Sequence, residues 1–590
     1  MATLRNPLGN TIPAFTEHAI SVSLPKWADN VGYEEGESRV LNAMQTGYPR
    51  FFIHLNIRKL SSILEQKFSI QSEKSLLFPS RQAAEGCRTF LTERDVSSAR
   101  VVQHCISESL CVFLVLFPET NFSIAKQFWQ HTGLGISSRF ASHILATLTS
   151  SISPPPTPTR TKPMAHRHYS AKPSRTPSSN GSEPLEEADQ DQAVYLEQRY
   201  GRNLDVAAAK QAKGALRRRI AGVLVRDEGA ANGEVEVTQS VRGVTVTEDD
   251  VFLFPTGMTA IWTAHQLALD ARGARKSVCF GFPYTDTLKV LEKWGPGCHF
   301  LGHGLDSSID ELEAILEAEQ ARNPHEPPIL ALFTEFPSNP LLRSPDLARL
   351  RTLADKYDFL IIVDDSIGNF VNVETLPFAD MVVTSLSKIF SGDSNVMGGS
   401  LVLNPARRHY TTLRERLFTR YEDTYYDEDA IFMERNSRNF AQRAAQIDAN
   451  AEHVCDFLHA AQQQQPPSPI TEVYYPKWQT AKHYAARRLP GGGFGGLFSL
   501  AFASQAAAEA FFDALACDKG PSLGTNFTLA CPYTILAHYT ELDWAAQYGV
   551  PGSLVRISVG LEDTTWLHRV FADALKAAED AHRSESNAGT

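Results

Sequence analysis

Along the chain the spacing of hydrophobic positions changes, and each spacing predicts an element. Val251–Phe254 is a short apolar run ended by the turn Thr256-Gly257-Met258, with a helical stretch expected over Thr259–Ala268. Ile329–Thr334, Phe359–Val363 and Met381–Thr384 are further unbroken apolar runs, the pattern of strands covered on both faces of a parallel sheet. Between two of them, Leu347, Leu350, Ala354 and Tyr357 keep helical spacing. Ser344-Pro345-Asp346 precedes that helix and reads as N-cap, first-position proline and first-turn acid. Strand and helix signals that alternate in this way predict an α/β fold around a mainly parallel sheet. Towards the C-terminus, residues 490–502 (PGGGFGGLFSLAF) and 553–563 (SLVRISVGLED) look like strands of a smaller α/β domain.

Residues 151–190 break the pattern. They hold eight Pro, seven Ser and four Thr, so they bury too little apolar surface to offset their ordering entropy and read as a disordered linker. The predicted organisation is an N-terminal extension of unassigned role (1–150), the linker (151–190), an arm with a large domain (191–480) and a small C-terminal domain (481–590). Within the extension, residues 47–68 (GYPRFFIHLNIRKLSSILEQKF) suggest a turn and an amphipathic helix. No catalytic spacing stands out there, and the region reads as an accessory segment packed on the rest.

Composition narrows the classes. A chain of 590 residues, 43% hydrophobic and 21% charged, is neither a coiled coil, nor collagen-like, nor globally disordered. With 67 acidic against 56 basic residues, the net charge of −11 argues against nucleic acid or an anionic membrane as main partner. The eight cysteines include no C-x-x-C pair, which fits reduced thiols and neither a disulfide framework nor a metal site. The start, MATLRNPLGN, lacks the apolar core of a secretory signal, and the run Leu110–Phe117 is too short to span a bilayer. The expectation is a cytoplasmic protein.

The polar residues that punctuate the apolar runs fall where an open parallel sheet binds ligands, at the carboxyl ends of its strands. Thr256-Gly257-Met258 opens a helix whose free N–H groups and dipole attract a phosphate, although such a turn also occurs with no ligand. Lys388, after a strand and two serines in SLSK, has the setting of a Schiff-base lysine; a surface lysine at a strand end is the alternative. Asp364 closes the preceding strand, where a carboxylate can pair with a protonated pyridine nitrogen or simply cap a turn. Taken together in this order, they describe a pyridoxal phosphate site.

From about residue 190 to 565 the chain resembles the Cys/Met-metabolism group of pyridoxal-phosphate enzymes, with the aminotransferase-like type I fold. The resemblance implies that Lys388 carries the cofactor, that Ser385 and Ser387 bind its phosphate with Thr256, Gly257 and Met258, and that Asp364 faces the pyridine nitrogen. Tyr284 in FPYTDTLKVL resembles the ring-stacking tyrosine of a Y-G-G-T segment whose glycines are here Thr285 and Asp286; it is also a candidate acid/base. Asn339 in TEFPSNP matches an asparagine near cofactor and substrate, Arg556 the arginine that holds the substrate α-carboxylate, and Ser522 the serine assisting it. Tyr200 and Arg202 in RYGRN resemble a Y-x-R pair that reaches the phosphate of a neighbouring subunit, though the N-P-T that follows it is absent. That pair implies a homodimer or homotetramer with shared active sites.

Several stretches, among them EQRYGRNLD, KIFSGDSNVMGGSLVLNP and the N-terminal WADNVGYEEGE and GYPRFFIHL, are similar to one branch, the long fungal-type cystathionine gamma-synthases. The likeness leaves out the linker and residues 95–125. It implies γ-replacement on an O-acylhomoserine, O-acetylhomoserine in a fungal setting, with cysteine as the nucleophile that gives cystathionine. Three other readings stay open: γ-replacement with a different nucleophile, γ-elimination to a 2-oxo acid, and a non-catalytic scaffold.

Overall fold

The computed structural model describes residues 6–49, 51–70, 72–107, 110–152, 206–226, 234–464 and 468–588. Tyr200, Arg202 and the linker from residue 153 onward lie outside them. A seven-stranded sheet runs in the order Cys298–Leu301, Ser277–Phe280, Ala331–Glu335, Leu360–Asp364, Met381–Ser385, Gly399–Leu403, Val251–Phe254. Six strands are parallel, and Gly399–Leu403 is antiparallel to both of its neighbours. Leu360, Ile361, Ile362 and Val363 are each at most 1% exposed, so no alternation of apolar and polar positions survives in the strand. Ile361 and Val363 pack with Leu347, Leu350 and Tyr357 on one face. On the other face, Ile362 and Phe333 pack with Ala260, Ile261 and Ala264 of the helix Gly257–Arg272.

The helix Leu347–Tyr357 starts two residues later than its sequence suggests. Asp346 is the N-cap, with its Oδ1 accepting from the amides of Ala348 and Arg349, both at 3.1 Å. A carboxylate there satisfies two open N–H groups and also meets the positive end of the helix. Ser344 lies outside the helix, where its amide donates to Thr480 Oγ1 at 2.6 Å.

A second sheet of five strands follows, in the order Ile470–Tyr474, Leu497–Phe502, Val555–Ser558, Leu529–Cys531, Asp518–Lys519. It thus begins ahead of residue 481. The helices Phe440–Gln462, Gln505–Ala514 and Thr564–Ala588 cover it, and Phe498, Phe511 and Phe571 lie fully buried between the layers.

Residues 6–152 form two structures. Leu55–Ile152 folds around an antiparallel sheet with Cys111–Pro118 between Glu73–Phe78 and Arg100–Cys105, packed by four helices. The preceding segment instead lies along the C-terminal unit. Trp27 packs edge-on against Phe512 at 6.0 Å, and its amide donates to Asp513 Oδ1 at 2.8 Å. One expectation about the cysteines fails: Cys105 and Cys111 form a disulfide. They are register partners across the hairpin, with Cα atoms 4.0 Å apart, so pairing in space joins two thiols that look merely scattered in sequence. Among the described residues no helix is long and apolar enough to cross a membrane.

Candidate active site

The six parallel strands end at one edge of the large sheet, and one cavity opens there. Lys388, Asp364, Tyr284, Asn339, Arg556, Ser385, Ser387, Thr256, Gly257 and Met258 all line it. Ten of the thirteen expected residues therefore share a single space. Ser522 reaches it through a hydrogen bond to Lys388, while Tyr200 and Arg202 lie outside the described residues.

Each strand end delivers its residue for a local reason. After Val251–Phe254, Thr256 caps the helix Gly257–Arg272, its Oγ1 accepting from the Thr259 amide at 3.1 Å. A Cβ on Gly257 would come within 2.7 Å of Ser385 Cβ, so glycine lets the helix N-terminus press against the hydroxyl-bearing strand end. Ser385 ends its strand with the amide donating to Ser366 Oγ at 2.6 Å. Ser387 Oγ accepts from the Gly398 amide at 3.0 Å. The Lys388 amide donates to Ser385 O at 3.3 Å, closing a turn that aims the lysine into the cavity.

Asp364 pairs in register with Glu335 on the neighbouring strand. Burial drives the Asp364 carboxyl up to about 6, with Asp365 adding to the rise, while Ser366 and Lys388 oppose it. Glu335 is raised well above the ordinary range by burial and by Asp364. It accepts from the amides of Tyr284 at 2.5 Å and Asn339 at 2.8 Å, so one buried side chain fixes the backbone of both loops. Behind Asp364, the buried Asp365 pairs with Arg242 at 3.4 Å and accepts from Thr384 Oγ1.

On the far wall, Arg556 sits in the strand Val555–Ser558 of the second sheet. It donates to Asn339 Oδ1 at 3.1 Å and to the carbonyls of Pro521 and Ser522 at 2.9 and 3.2 Å. Its guanidinium lies 4.9 Å from the Tyr533 ring centre. Ser522 meets Arg556 through its carbonyl; its hydroxyl instead accepts from Lys388 Nζ at 3.4 Å. Sequence reasoning missed Glu335, Ser366, Tyr533 and Tyr48. The first two had a signal, an acid and a hydroxyl at strand ends beside residues already chosen. Tyr48 and Tyr533 had none, because only folding brings them to Lys388 and Arg556.

These residues fit pyridoxal phosphate. A helix N-terminus beside two serine hydroxyls suits a phosphate, an inward amine suits an aldehyde, and a buried carboxyl suits a pyridinium. Gly257→Ala is expected to weaken cofactor binding about tenfold or more, since overpacking a tight site typically costs about 1–3 kcal/mol. Titration of the apoenzyme measures it, and unchanged affinity would separate the loop from the phosphate.

Residues 247–576 match the model of the Cys/Met metabolism PLP-dependent enzymes, and 56–137 match that of the fungal trans-sulfuration enzyme N-terminal domain. The second match includes residues 95–125, which the sequence reading had left out of the likeness. The chain is 52% identical to the cystathionine gamma-synthase-like enzyme iboG2 of Amanita muscaria, covering 98% of this chain and 97% of that one. It is 44% identical to the cystathionine gamma-synthase of Neurospora crassa (97% and 98% covered) and 38% identical to that of Saccharomyces cerevisiae (97% and 99%). Likeness of this depth along the whole length settles more than a fold class: the chain belongs to the Cys/Met metabolism PLP-dependent enzyme family, and pyridoxal phosphate is its cofactor.

Proposed function

We propose that this enzyme carries out γ-replacement on an O-acylhomoserine, O-acetylhomoserine in the first instance, with cysteine as the nucleophile and cystathionine as the product. The observation that carries the reading is that Lys388, in the turn after the strand Met381–Ser385 of the large sheet, and Arg556, in the second sheet, line one cavity, which suits a base facing a carboxylate clamp. Pyridoxal phosphate, when bound, supplies the electron sink that makes the Cα and Cβ hydrogens acidic. Lys388 Nζ takes the Cα proton and later returns protons to the carbon chain. Arg556, braced by Asn339 and two carbonyls, grips the α-carboxylate as a planar fork. Asp364 would hold its charge towards the ring nitrogen, and Tyr284 would lie against the ring and serve as a second acid/base. Ser385, Ser387, Thr256, Gly257 and Met258 hold the phosphate.

The same reading includes a cytoplasmic homodimer or homotetramer, with Tyr200 and Arg202 reaching the phosphate of a neighbouring subunit. The nucleophile has a competing reading, because identity to a protein described only as synthase-like (52%) exceeds that to the Neurospora cystathionine gamma-synthase (44%). Incubating the enzyme with O-acetylhomoserine, with and without cysteine, and identifying products by mass tests the proposal. Cystathionine formed only with cysteine supports it. A 2-oxo acid formed equally with and without cysteine would replace it by γ-elimination, and no reaction in either tube would remove this substrate.

Arg556→Lys keeps the charge and loses the fork. A lysine cannot hold Asn339, two carbonyls and a substrate carboxylate at once, so kcat/KM should fall about ten- to hundredfold, the worth of a hydrogen bond to a charged group. Cofactor colour should persist. Steady-state kinetics decides, and an unchanged kcat/KM would place the carboxylate elsewhere.

A further inference from the structure

The N-terminal region reaches the catalytic lysine. Tyr48 Oη lies 3.1 Å from Lys388 Nζ, and the Tyr48 ring centre is 4.7 Å from the same nitrogen. The two residues are 340 positions apart, and Tyr48 lines the cavity beside Pro49 and Phe51. The tyrosine is held in place from several sides. Its carbonyl accepts from the amides of Phe51 and Phe52 at 2.9 and 3.0 Å, closing a turn over the buried Phe52. At Gly47 a Cβ would fall 2.4 Å from Phe52 Cβ, so this turn packs with no room for a side chain. Thr46 Oγ1 donates to Ala19 O at 2.7 Å, and the Ile20 amide donates to Ser394 O at 2.8 Å, tying the segment to the loop after Lys388. A second point of the region bears on the opposite side of the site: at Gly133 (φ 66°) a Cβ would stand 2.1 Å from Thr256 Oγ1.

We propose that Tyr48 is a catalytic residue and that the N-terminal region is thereby an integral part of the active centre. When the Cα–H bond of the substrate breaks and an N–H bond forms on Lys388, the amine becomes an ammonium in a confined site. The phenol oxygen accepts one of its N–H bonds and the ring faces its charge, so Tyr48 stabilises the state in which the lysine carries the substrate's proton. Stabilisation that grows as the charge develops lowers the barrier, and does not merely tighten binding. The inference rests on Lys388 being the cofactor-bearing base and is independent of the nucleophile.

Tyr48→Phe keeps the ring and removes the acceptor. Its kcat should fall about ten- to hundredfold, as for the loss of a hydrogen bond to a charged group. KM and the cofactor dissociation constant, the latter from titration of the apoenzyme, should stay close to wild type. The absorption spectrum of the bound cofactor should change, because the group facing the lysine nitrogen has changed. Tyr48→His retains an acceptor on a ring and should recover part of the lost kcat. Wild-type kcat with an unchanged spectrum in Tyr48→Phe would overturn the proposal. So would equal losses in both variants with spectra unchanged, which would reduce Tyr48 to a filler of space. Borohydride trapping of the cofactor on a Lys388 peptide in the wild-type enzyme keeps the two readings apart. If trapping fails, the assignment of Lys388 falls with everything built on it; if it succeeds, a failure of the Tyr48 variants falls on Tyr48 alone.

Discussion

Lys388→Ala should lose turnover by at least about 10²- to 10⁴-fold, the usual cost of removing a catalytic base, with the covalent hold on the cofactor lost in addition. The lysine side chain is buried, aimed into the cavity by the turn after Ser385, and hydrogen-bonded through Nζ to Tyr48 and Ser522. Among the described residues no other lysine lines that cavity, so no second amine stands ready to replace it. The change leaves two hydroxyls, of Tyr48 and Ser522, without the amine they bonded, and it removes a cation that opposed the rise of the Asp364 carboxyl, so that carboxyl should hold its proton to higher pH. Cofactor should still bind through the phosphate cradle, but borohydride should no longer fix it to the protein. Single-turnover and steady-state kinetics at matched cofactor occupancy measure the loss. A variant that retained more than about a tenth of wild-type kcat would strip Lys388 of its role.

The parts of this architecture that could be read from sequence are those whose cause is local. Phe359–Val363 shows an unbroken apolar run because helices cover both sheet faces, and the polar residue that ends each run then marks the binding edge. That logic reaches Asp364, Lys388 and Thr256 with no knowledge of which strands are neighbours. It stops at partners chosen by folding. Glu335 was visible as the acid at the end of Ala331–Glu335, but its task, fixing the Tyr284 and Asn339 loops together, exists only once two loops converge on it. The sequence reading expects Ser522 beside Arg556; its carbonyl makes that contact, whereas its hydroxyl accepts from the lysine. The N-cap moved from Ser344 to Asp346 because two good capping residues flank one proline, and only the path of the chain chooses between them. Tyr48 carries no sequence pattern of a site at all. Its turn looks like a connection, and it becomes catalytic by lying against a lysine far along the chain.

Asp364→Asn should separate catalysis from stability in opposite directions. In the cofactor-free protein, burial raises the Asp364 carboxyl from its ordinary value to about 6. A carboxyl raised on folding binds its proton more tightly in the folded state. Its contribution to stability is therefore most favourable below the unfolded value and is lost as pH rises towards 6. Asparagine has no charge to desolvate, so above about pH 6 the apo variant should melt at or above the temperature of wild-type apoenzyme. With cofactor the balance reverses. If the ring nitrogen faces Asp364 as proposed, its proton would give the carboxylate a cation in direct contact, and an amide cannot hold that proton. Breaking a buried pair by removing one partner typically costs about 3–5 kcal/mol, or about 10²- to 10⁴-fold if it is felt in the transition state. Turnover should fall by that order, and the gain in melting temperature on adding cofactor should shrink. Thermal melts of apo and loaded forms between pH 5 and 8, set beside kcat, test both halves. An apo variant less stable than wild type at pH 8 would mean that the carboxylate is already paired within the protein. An unchanged kcat would mean that the charge faces something other than the ring nitrogen.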